Sequence, residues 1–425
     1  MKTELLVQKI KNGELDERLL DIYVDETKLE YQRTRYINAI KKFESLYGDN
    51  EVELFSAPGR SEIGGNHTDH QRGEVLASSI NLDIIGIVRK TEEREVRIVS
   101  DNYDEVVISL DELNYKVEER ESTKALIKGV LAAFAERGYK IGGFCAYATS
   151  DVLIGAGLSS SAAFETLIGT ILSSIYNEDK VSAVEIAQIG QYAENVYFGK
   201  PCGLMDQMAC SVGNFVHIDF RNPNSPEVTK LNFNMEEYGY SLCITDTKGS
   251  HADLTEEYAA VPQEMKKVAN YFGKEVLREV ELADILKSVN DLRIKFGDRS
   301  LLRALHFFNE NERVQKQVVA LNNGDIKTFL HEVKASGDSS FKYLQNVYSN
   351  KDVLNQNISI ALIVSDMSLK TDGVSRVHGG GFAGTIQAFV KNEHVAAYKK
   401  QMDNIFGTGA CHELRIRKYG GIKIL

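Results

Sequence analysis

At 425 residues the chain is too long for one ordinary hydrophobic core, so two domains of roughly 200 residues each are expected. Its composition, 43% hydrophobic and 26% charged, is typical of a globular protein and excludes a disordered one. A formal net charge of −11 argues against a broad nucleic-acid-binding surface, although a local basic pocket for phosphate is compatible with it.

Hydrophobic periodicity and turn residues predict the secondary-structure elements in chain order. They are helices within 1–45, strands at 51–56 and 75–88, a helix at 124–135, a strand at 144–149, helices at 160–176 and 182–197, strands at 215–220 and 240–245, helices through about 345, strands at 358–364 and 385–390, then a helix and a final strand. Strands and helices mix without a strict alternation, which predicts an α+β fold. The polar, proline-containing segment 221–226 marks a boundary between an N-terminal domain (31–225) and a C-terminal domain (226–425), preceded by a helical extension (1–30).

The cysteines and the apolar segments bear on cellular location. The 5 cysteines form no CxxC pair and no His/Cys cluster, which argues against structural zinc. No signal peptide and no apolar run long enough to span a membrane is visible. We therefore expect a cytoplasmic protein with reduced thiols and no membrane partner.

The segment 57–70 concentrates side chains that could bind a polar ligand. These are Arg60, Glu62, Asn66, His67, Asp69 and His70. Carboxylates, amides and imidazoles suit sugar hydroxyls, because each hydroxyl both donates and accepts a hydrogen bond. Two alternatives are a polar surface loop and a metal site formed by His67, Asp69 and His70.

A second segment places glycines and three consecutive serines before a predicted helix. It comprises Gly155, Ala156, Gly157, Leu158, Ser159, Ser160 and Ser161. Helix N-termini bind anions through free N–H groups and a partial positive charge, so a nucleotide phosphate is the expected ligand. The segment is not a Walker A loop, and the alternative is a serine-capped helix after a glycine turn.

Two further segments carry acidic or glycine-rich patterns. Glu194 and Asp206 flank an apolar, glycine-rich stretch, where a carboxylate must be paired or functional unless Asp206 simply caps a helix. Residues 376–384 match GxGxxG, but a predicted strand follows them instead of a helix. A dinucleotide-binding fold is therefore disfavoured, and a tight loop near phosphates or between strands is favoured.

In this order the four segments resemble the galactokinase branch of the GHMP small-molecule kinases. Their counterparts are G-R-x-N-L-I-G-E-H-T-D-Y, G-L-S-S-S-A, P-C-G-[IL]-M-D-Q and G-G-G-F-G-G, with a weaker match at residues 250–258, which end in Tyr258. The resemblance covers roughly residues 50–425, and the first 30 residues or so have no counterpart. It implies a two-domain GHMP kinase fold with mixed sheets and helices and an active site in the cleft between the domains.

The resemblance also implies an ATP- and Mg²⁺-dependent sugar 1-kinase, with galactose the favoured substrate. Asp206 would accept or orient the proton of the anomeric hydroxyl, and Arg60 would keep Asp206 ionised and stabilise the transferring phosphoryl group. Ser161 and Glu194 match the Mg²⁺-associated residues, and residues 155–161 would hold the phosphates. Asn66, His67, Asp69 and Tyr258 match sugar contacts. The implied partners are the sugar and ATP alone, and the implied assembly is a monomer or weak oligomer.

The chain departs from the family pattern mainly in the sugar-binding segment. Glu62 stands at the family's asparagine, Asn66 at its glutamate, His70 at its tyrosine and Ala383 at a glycine of the last loop. In the family the glutamate contacts the 6-hydroxyl of the sugar, so the neutral Asn66 could tolerate a C6 carboxylate, and Asn66→Glu is expected to improve galactose use. Alternatives are therefore a galacturonate or other pyranose 1-kinase, a non-catalytic galactose and ATP sensor, and a kinase for a non-sugar alcohol, which the His67–Asp69 run disfavours.

Overall fold

The computed structural model describes residues 1–101, 103–153, 157–223, 225–249 and 254–425. Its helices are α1 (Thr3–Lys11), α2 (Asp16–Tyr23), α3 (Leu29–Tyr47), α4 (Thr123–Glu136), α5 (Ser160–Asn177), α6 (Ala183–Tyr192), α7 (Met205–Val212), α8 (Thr255–Tyr271), α9 (Leu282–Lys287), α10 (Val289–Phe296), α11 (Asp298–Asn322), α12 (Ile326–Ser339), α13 (Asn357–Leu369) and α14 (Val395–Phe406). Its strands are β1 (Glu53–Gly64), β2 (Glu74–Lys90), β3 (Glu95–Ser100), β4 (Val106–Ser109), β5 (Phe144–Ser150), β6 (Phe215–Asp219), β7 (Glu227–Leu231), β8 (Tyr240–Asp246), β9 (Gly373–His378), β10 (Thr385–Lys391), β11 (Cys411–Leu414) and β12 (Ile422–Lys423).

The first sheet is mixed and is built around the long strands β1 and β2. Its strands follow the order β12-β1-β2-β5-β3-β4, and β2 also pairs with β6, which pairs with β7. All these pairs are antiparallel except β3 with β5. The register of β1 against β2 shifts between Pro58 and Arg60 and again between Glu62 and Gly64. Such bulges redirect side chains, and both fall in the polar segment 57–70.

The second sheet is antiparallel, with the order β11-β8-β10-β9. One buried core joins it to the first sheet, because Phe329 of α12 packs edge-on against Phe215 of β6 and Phe389 of β10, with ring centroids 6.2 and 5.4 Å away. The predicted α+β class with mixed sheets is confirmed. The segment between β9 and β10 carries the glycine-rich loop, so the second sheet delivers this loop to the end of β1.

The N-terminal helices pack on the opposite face of the first sheet. Ile84 and Val88 of β2 face the main core, whereas Ile85 and Ile87 face α1, α2 and α3. Burial on both faces explains why β2 is an almost continuous apolar run. The helices predicted within residues 1–45 are confirmed, and the structure shows that they form a layer packed on the first sheet.

One predicted element is wrong. Residues 358–364 were expected to form a strand because β-branched and apolar residues dominate them, but they lie within α13. The buried positions Ile358, Ala361 and Ser365 have helical spacing. Ile360 and Ile363 occupy the exposed face, so the chain shows no polar stripe that would reveal the helix.

The division into domains at residues 225 and 226 stays a prediction. The boundary falls between β6 and β7, which pair with each other in the first sheet. The C-terminal β12 also returns to that sheet by pairing with β1. Sequence position and sheet membership therefore do not coincide at either end of the predicted C-terminal domain.

Candidate active site

The sequence-predicted pair of Arg60 and Asp206 forms a direct ion pair. Arg60 lies in β1 just after the first bulge, and Asp206 lies in the first turn of α7. The guanidinium donates from Nε to Oδ1 at 2.7 Å and from Nη2 to Oδ2 at 2.9 Å. The Arg60 side chain is 8% exposed and that of Asp206 is 33% exposed, so the carboxylate remains open to a ligand. This bidentate geometry is the strongest form of an arginine–carboxylate contact.

The charges around Asp206 keep it ionised. Burial opposes the charged form, but the Arg60 charge and hydrogen bonds, the Ser159 hydroxyl and Lys200 together bring the pKa of Asp206 below its ordinary value. The pKa of Arg60 rises despite its burial because of the same carboxylate. A permanently ionised carboxylate can accept a proton at neutral pH, and its low pKa makes positioning more important than basicity.

The predicted phosphate-binding segment 155–161, called the serine loop below, contacts this ion pair through the C-terminal part of the loop. Ser159 precedes α5 in the left-handed conformation, with φ of 55°, and its side chain does not cap the helix. Its hydroxyl instead donates to Asp206. Arg60 donates to the carbonyl of Gly157, and its own amide donates to the carbonyl of Leu158 at 3.1 Å. Of the predicted phosphate-binding residues, Gly157, Leu158 and Ser159 therefore lie beside the ion pair, Ser160 and Ser161 begin α5, and Gly155 and Ala156 lie outside the described residues.

Ser161 and Glu194, the predicted magnesium residues, are in contact. Ser161 Oγ donates to Glu194 Oε1 at 3.3 Å, and Gln207 Nε2 donates to Glu194 Oε2 at 2.7 Å and to Glu165 Oε2 at 3.1 Å. Glu165 Oε1 is buried without a hydrogen-bond partner among the described residues. Burial and the nearby Glu194 raise the pKa of Glu165 well above its ordinary value. Two buried carboxylates held by one amide are a setting that a cation would stabilise.

A cavity of about 360 Å³ opens beside the N-terminus of α5. Its polar lining includes Ser160 and Ser161 together with Asp101, Asp104 and Thr123, and its apolar lining comes from β2, β3, β4, β5, α4 and α5. The apolar residues include Ile84, Ile98, Val106, Leu126, Ala148 and Phe164. A cavity with apolar walls and a few polar groups is typical of sites for small organic ligands. It could not be predicted from the sequence, because its walls come from six separate elements.

The residues predicted to contact the sugar lie on the other side of Asp206. A Cβ atom at Gly203, in the segment before α7, would approach Asp69 Oδ2 to 2.5 Å, so Asp69 lies directly against that segment. Burial raises the pKa of Asp69 despite the nearby His67. His67 Nε2 lies 3.0 Å from the carbonyl of Gly380, and Tyr258 donates to the carbonyl of Gly381 at 2.7 Å. The rest of the weaker motif, residues 250–253, lies outside the described residues.

Asn66 is placed differently from the other predicted sugar contacts. Its side chain is fully buried, and its amide donates to Glu62 and to the carbonyl of Gly379. Its oxygen accepts hydrogen bonds from Ser340 and Asn346. A role for Asn66 as a direct sugar ligand stays a prediction, and these contacts do not support it.

Two residues of α11, missed from the sequence, hold the backbone of the sugar-binding segment. Glu310 accepts hydrogen bonds from the amides of Gly65 and Asn66 at 3.1 and 3.4 Å. His306, one turn earlier, lies with Nε2 2.9 Å from the carbonyl of Asn66. Although burial opposes its charge, Arg313 and other cationic neighbours lower the pKa of Glu310 to about 2. The signal available in the sequence was a histidine and a glutamate at positions that the helical period buries.

The fourth segment joins the two sides of the site. His378 at the end of β9 lies with Nε2 3.1 Å from Ser61 Oγ and with Nδ1 3.0 Å from Thr385 Oγ1. A Cβ atom at Gly157 would lie 3.4 Å from His378 Nδ1, so the histidine packs against the serine loop. Burial, with Arg60 nearby, lowers the pKa of His378 well below its ordinary value. The expectation of a tight loop near the predicted phosphate site agrees with this packing.

The alternative metal site at His67, Asp69 and His70 finds no support in the described parts of the chain. Within them, no three or more histidine, cysteine, aspartate or glutamate side chains form a cluster able to bind a metal ion. His67 and His70 have ring centroids 5.7 Å apart, and burial lowers the pKa of His70 to about 3. In the same described residues, no helix has the length and apolar character needed to cross a bilayer.

Comparison with known families and relatives gives a consistent result. The family model for the GHMP kinase N-terminal domain matches residues 125–214, and that for the galactokinase galactose-binding signature matches residues 41–90. A galactokinase of Clostridium tetani is 29% identical over 385 residues, which cover 88% of this chain and 94% of the relative. A galactokinase of Actinobacillus pleuropneumoniae serotype 3 is 31% identical over 362 residues, which cover 84% of this chain and 90% of the relative.

Solved structures share the fold. Galactokinase of Lactococcus lactis in complex with galactose matches with a TM-score of 0.76 at 24% identity, over 92% of this chain and 100% of that chain. A mevalonate kinase matches with a TM-score of 0.61 at 15% identity, over 86% of this chain and 99% of that chain. The overall fold is thus shared with both structures.

Proposed function

The chain belongs to the galactokinase family, and from that premise we propose that it transfers the γ-phosphoryl group of ATP to the 1-hydroxyl of galactose. The observation that carries the proposal is the Arg60–Asp206 ion pair, which connects the sugar-binding segment to the start of α7 and contacts the serine loop. Acceptor activation and phosphate binding meet at that point. The intact pair also favours a kinase over a non-catalytic sensor, in which damage at Asp206 or in the serine loop is expected.

In the proposed reaction, the sugar O1 attacks the γ-phosphorus in line with the leaving oxygen of ADP. The bond between phosphorus and O1 forms as the bond to the β-phosphate oxygen breaks, and the O1 proton passes to the Asp206 carboxylate. Arg60, which donates to both Asp206 and Gly157, stabilises the negative charge on the transferring group. Most of the catalysis comes from positioning and electrostatics because Asp206 is a weak base.

We assign the nucleotide to the serine loop and the adjoining cavity. The phosphates would lie against the N-terminus of α5 at residues 155–161. The adenine would occupy the cavity of about 360 Å³ that is lined in part by Ser160 and Ser161. Apolar walls suit the faces of a purine ring.

Mg²⁺ fits the residues beside that loop. The Ser161 hydroxyl and the Glu194 carboxylate are hard oxygen ligands, and the unpartnered Oε1 of Glu165 lies in the same cluster. When bound, the ion would neutralise phosphate charge. Gln207 orients both glutamates through its side-chain amide. We further propose a cytoplasmic monomer or weak oligomer whose ligands are the sugar and ATP, without nucleic-acid or membrane partners.

Galactose phosphorylation by the purified protein with Mg·ATP tests the function, against a panel of other hexoses, uronic acids and pentoses. Asp206→Asn is expected to lower kcat by about 100- to 10,000-fold, because the proton acceptor is lost. Galactose binding, measured by calorimetry, should stay within a few-fold of the wild type.

The control is Asp284→Asn, which removes the charge of an exposed carboxylate that pairs with Lys287 on its own helix. It should leave both quantities unchanged. Retained turnover in Asp206→Asn would contradict the catalytic assignment, and a clear preference for a uronic acid would contradict the substrate.

A further inference from the structure

The two most pronounced departures from the family's sugar-binding pattern are in contact with each other. The family has asparagine where this chain has Glu62 and glutamate where it has Asn66. In the structure Asn66 Nδ2 donates to Glu62 Oε1 at 2.9 Å. Relative to the family pattern that this chain resembles, the carboxylate and the amide are therefore exchanged, and in this chain the two residues form one hydrogen-bonded pair.

The Asn66 amide has no hydrogen-bonding capacity left for a ligand. A primary amide has two N–H donors and two oxygen lone pairs. The donors are used by Glu62 and by the carbonyl of Gly379, the latter at 2.8 Å. The lone pairs accept from Asn346 Nδ2 at 2.9 Å and from Ser340 Oγ at 3.1 Å. Because two partners can only accept and Asn346 donates through its amide nitrogen, the orientation of the Asn66 amide is fixed.

Arg376 explains why the carboxylate belongs at position 62. Its Nη2 donates to Glu62 Oε1 at 2.7 Å, and Nη1 donates to the carbonyl of Ile63 at 2.9 Å. Arg376 is fully buried in β9, and the Glu62 side chain is only 6% exposed. A buried charge that loses its partner is strongly destabilising, so each member of this pair requires the other. The pair connects the end of β1 to the strand that leads into the glycine-rich loop.

We propose that Glu62, Asn66 and Arg376 act as one positioning unit, which rests on the galactose kinase function proposed above. The unit fixes the sugar-binding segment against the glycine-rich loop, so that His67 and Asp69 are presented to the sugar. Asn66 is a positioning residue in this arrangement, and recognition of the sugar 6-hydroxyl does not come from its side chain. Specificity at that carbon belongs to other groups of the pocket.

The proposal is tested by a double-mutant cycle on kcat/KM for galactose. Asn66→Glu should lower kcat/KM by about 100-fold, because a carboxylate cannot donate to Glu62 or Gly379 and adds a second buried negative charge. Glu62→Asn should cause a loss of similar size by leaving Arg376 unpaired. The double variant, which restores the family order, should recover to within about tenfold of the wild type. The KM for ATP should change less than twofold in all three. Additive losses in the double variant would overturn the proposal.

A second measurement separates positioning from direct contact. 6-Deoxygalactose lacks the hydroxyl that a ligand at position 66 would bind. We expect Asn66→Glu to lower the use of galactose and 6-deoxygalactose by the same factor. A loss confined to galactose would overturn the proposal.

Denaturant midpoints of the wild type, the two single variants and the double variant separate the proposed positioning unit from the proposed galactose kinase function. If the wild type does not phosphorylate galactose, the proposed function fails, yet coupling between positions 62 and 66 is still measured as recovery of the midpoint in the double variant. Recovery supports the unit, and additive destabilisation overturns it.

Discussion

Two carboxylate-containing pairs lie along the end of β1 and differ in the hydrogen-bonding capacity that they retain. Asp206, paired with Arg60, is 33% exposed and accepts hydrogen bonds from two residues, so one side of the carboxylate is open to a ligand. Asn66, paired with Glu62, is fully buried and engaged by four groups. Both belong to segments that resemble ligand-binding motifs. We infer that a side chain with free hydrogen-bonding positions is the better candidate for contact with a ligand, whereas a side chain whose positions are all occupied supports its neighbours.

The largest expected effect comes from the open pair. Arg60→Lys should lower kcat/KM by about 100- to 1000-fold, because one ammonium group cannot replace the bidentate contact with Asp206 and the donor to Gly157. The acid limb of the pH–kcat/KM profile should also move to higher pH as the pKa of Asp206 rises. The matched control is Arg94→Lys, whose 68% exposed side chain pairs with Asp111 on the surface. A loss below tenfold would remove the distinction between the two pairs.

The region that supports Asn66, which includes Glu310 and His306 of α11 and is called the supporting region below, should instead determine the stability of the fold in acid. Glu310, which holds the backbone at Asn66, has a pKa lowered from 4.5 to about 2, so its stabilisation is complete above pH 4.5 and is lost as the pH falls towards 2. The linked free energy is about 3 kcal/mol. Burial also lowers the pKa of His306 from 6.5 to about 4. The free energy of unfolding therefore decreases as the pH falls from 6.5 to 4, because the unfolded chain binds the proton more readily.

Urea denaturation between pH 7 and pH 3 measures this dependence. Glu310→Gln should lower the free energy of unfolding at pH 7 by about 2 kcal/mol, because Arg313 loses its partner, and should flatten the dependence below pH 4.5. An unchanged slope in this variant would show that another group causes the acid sensitivity.

The smallest expected effect concerns Ser159, whose hydroxyl contacts Asp206 and which could belong to the open pair or to the supporting region. Ser159→Gly removes the hydroxyl that donates to Asp206, and glycine tolerates the φ of 55° at this position. We expect kcat to fall roughly tenfold and the acid limb of the pH–rate profile to shift upward, with the denaturation midpoint little changed. A change in stability without a change in the pH profile would assign Ser159 to the supporting region.

Much of this molecule could be predicted from its sequence, with one informative error in the fold. Local periodicity revealed α4, α5, β2, β5 and β10, because each buries one face or both faces in a regular pattern. Residues 358–364 were assigned to a strand because apolar residues also occupy the exposed face of α13. This segment lacks the alternation of apolar and polar faces that normally distinguishes a surface helix from a strand.

The candidate site divides in the same way. The pairing of Arg60 with Asp206 and the association of Ser161 with Glu194 are implied by the resemblance to galactokinases, and the structure places both pairs in contact. The cavity beside α5 could not be predicted, because its walls come from distant segments. Glu310 and His306 were missed because nothing in a lone helical sequence indicates which backbone a buried polar side chain holds.

The sequence by itself determined the family of the chain and predicted the reactive groups and the anion-binding helix start, because motifs of defined residue types at short spacing carry this information. The role that we propose for Asn66 could be argued only from the tertiary structure. The substitution of an amide for a glutamate predicts a changed sugar contact and an improvement from Asn66→Glu, whereas the packing favours a positioning role and a loss of activity. The physical reason is that Glu62, Gly379, Ser340 and Asn346, which lie up to 313 residues from Asn66, use every donor and acceptor of its amide.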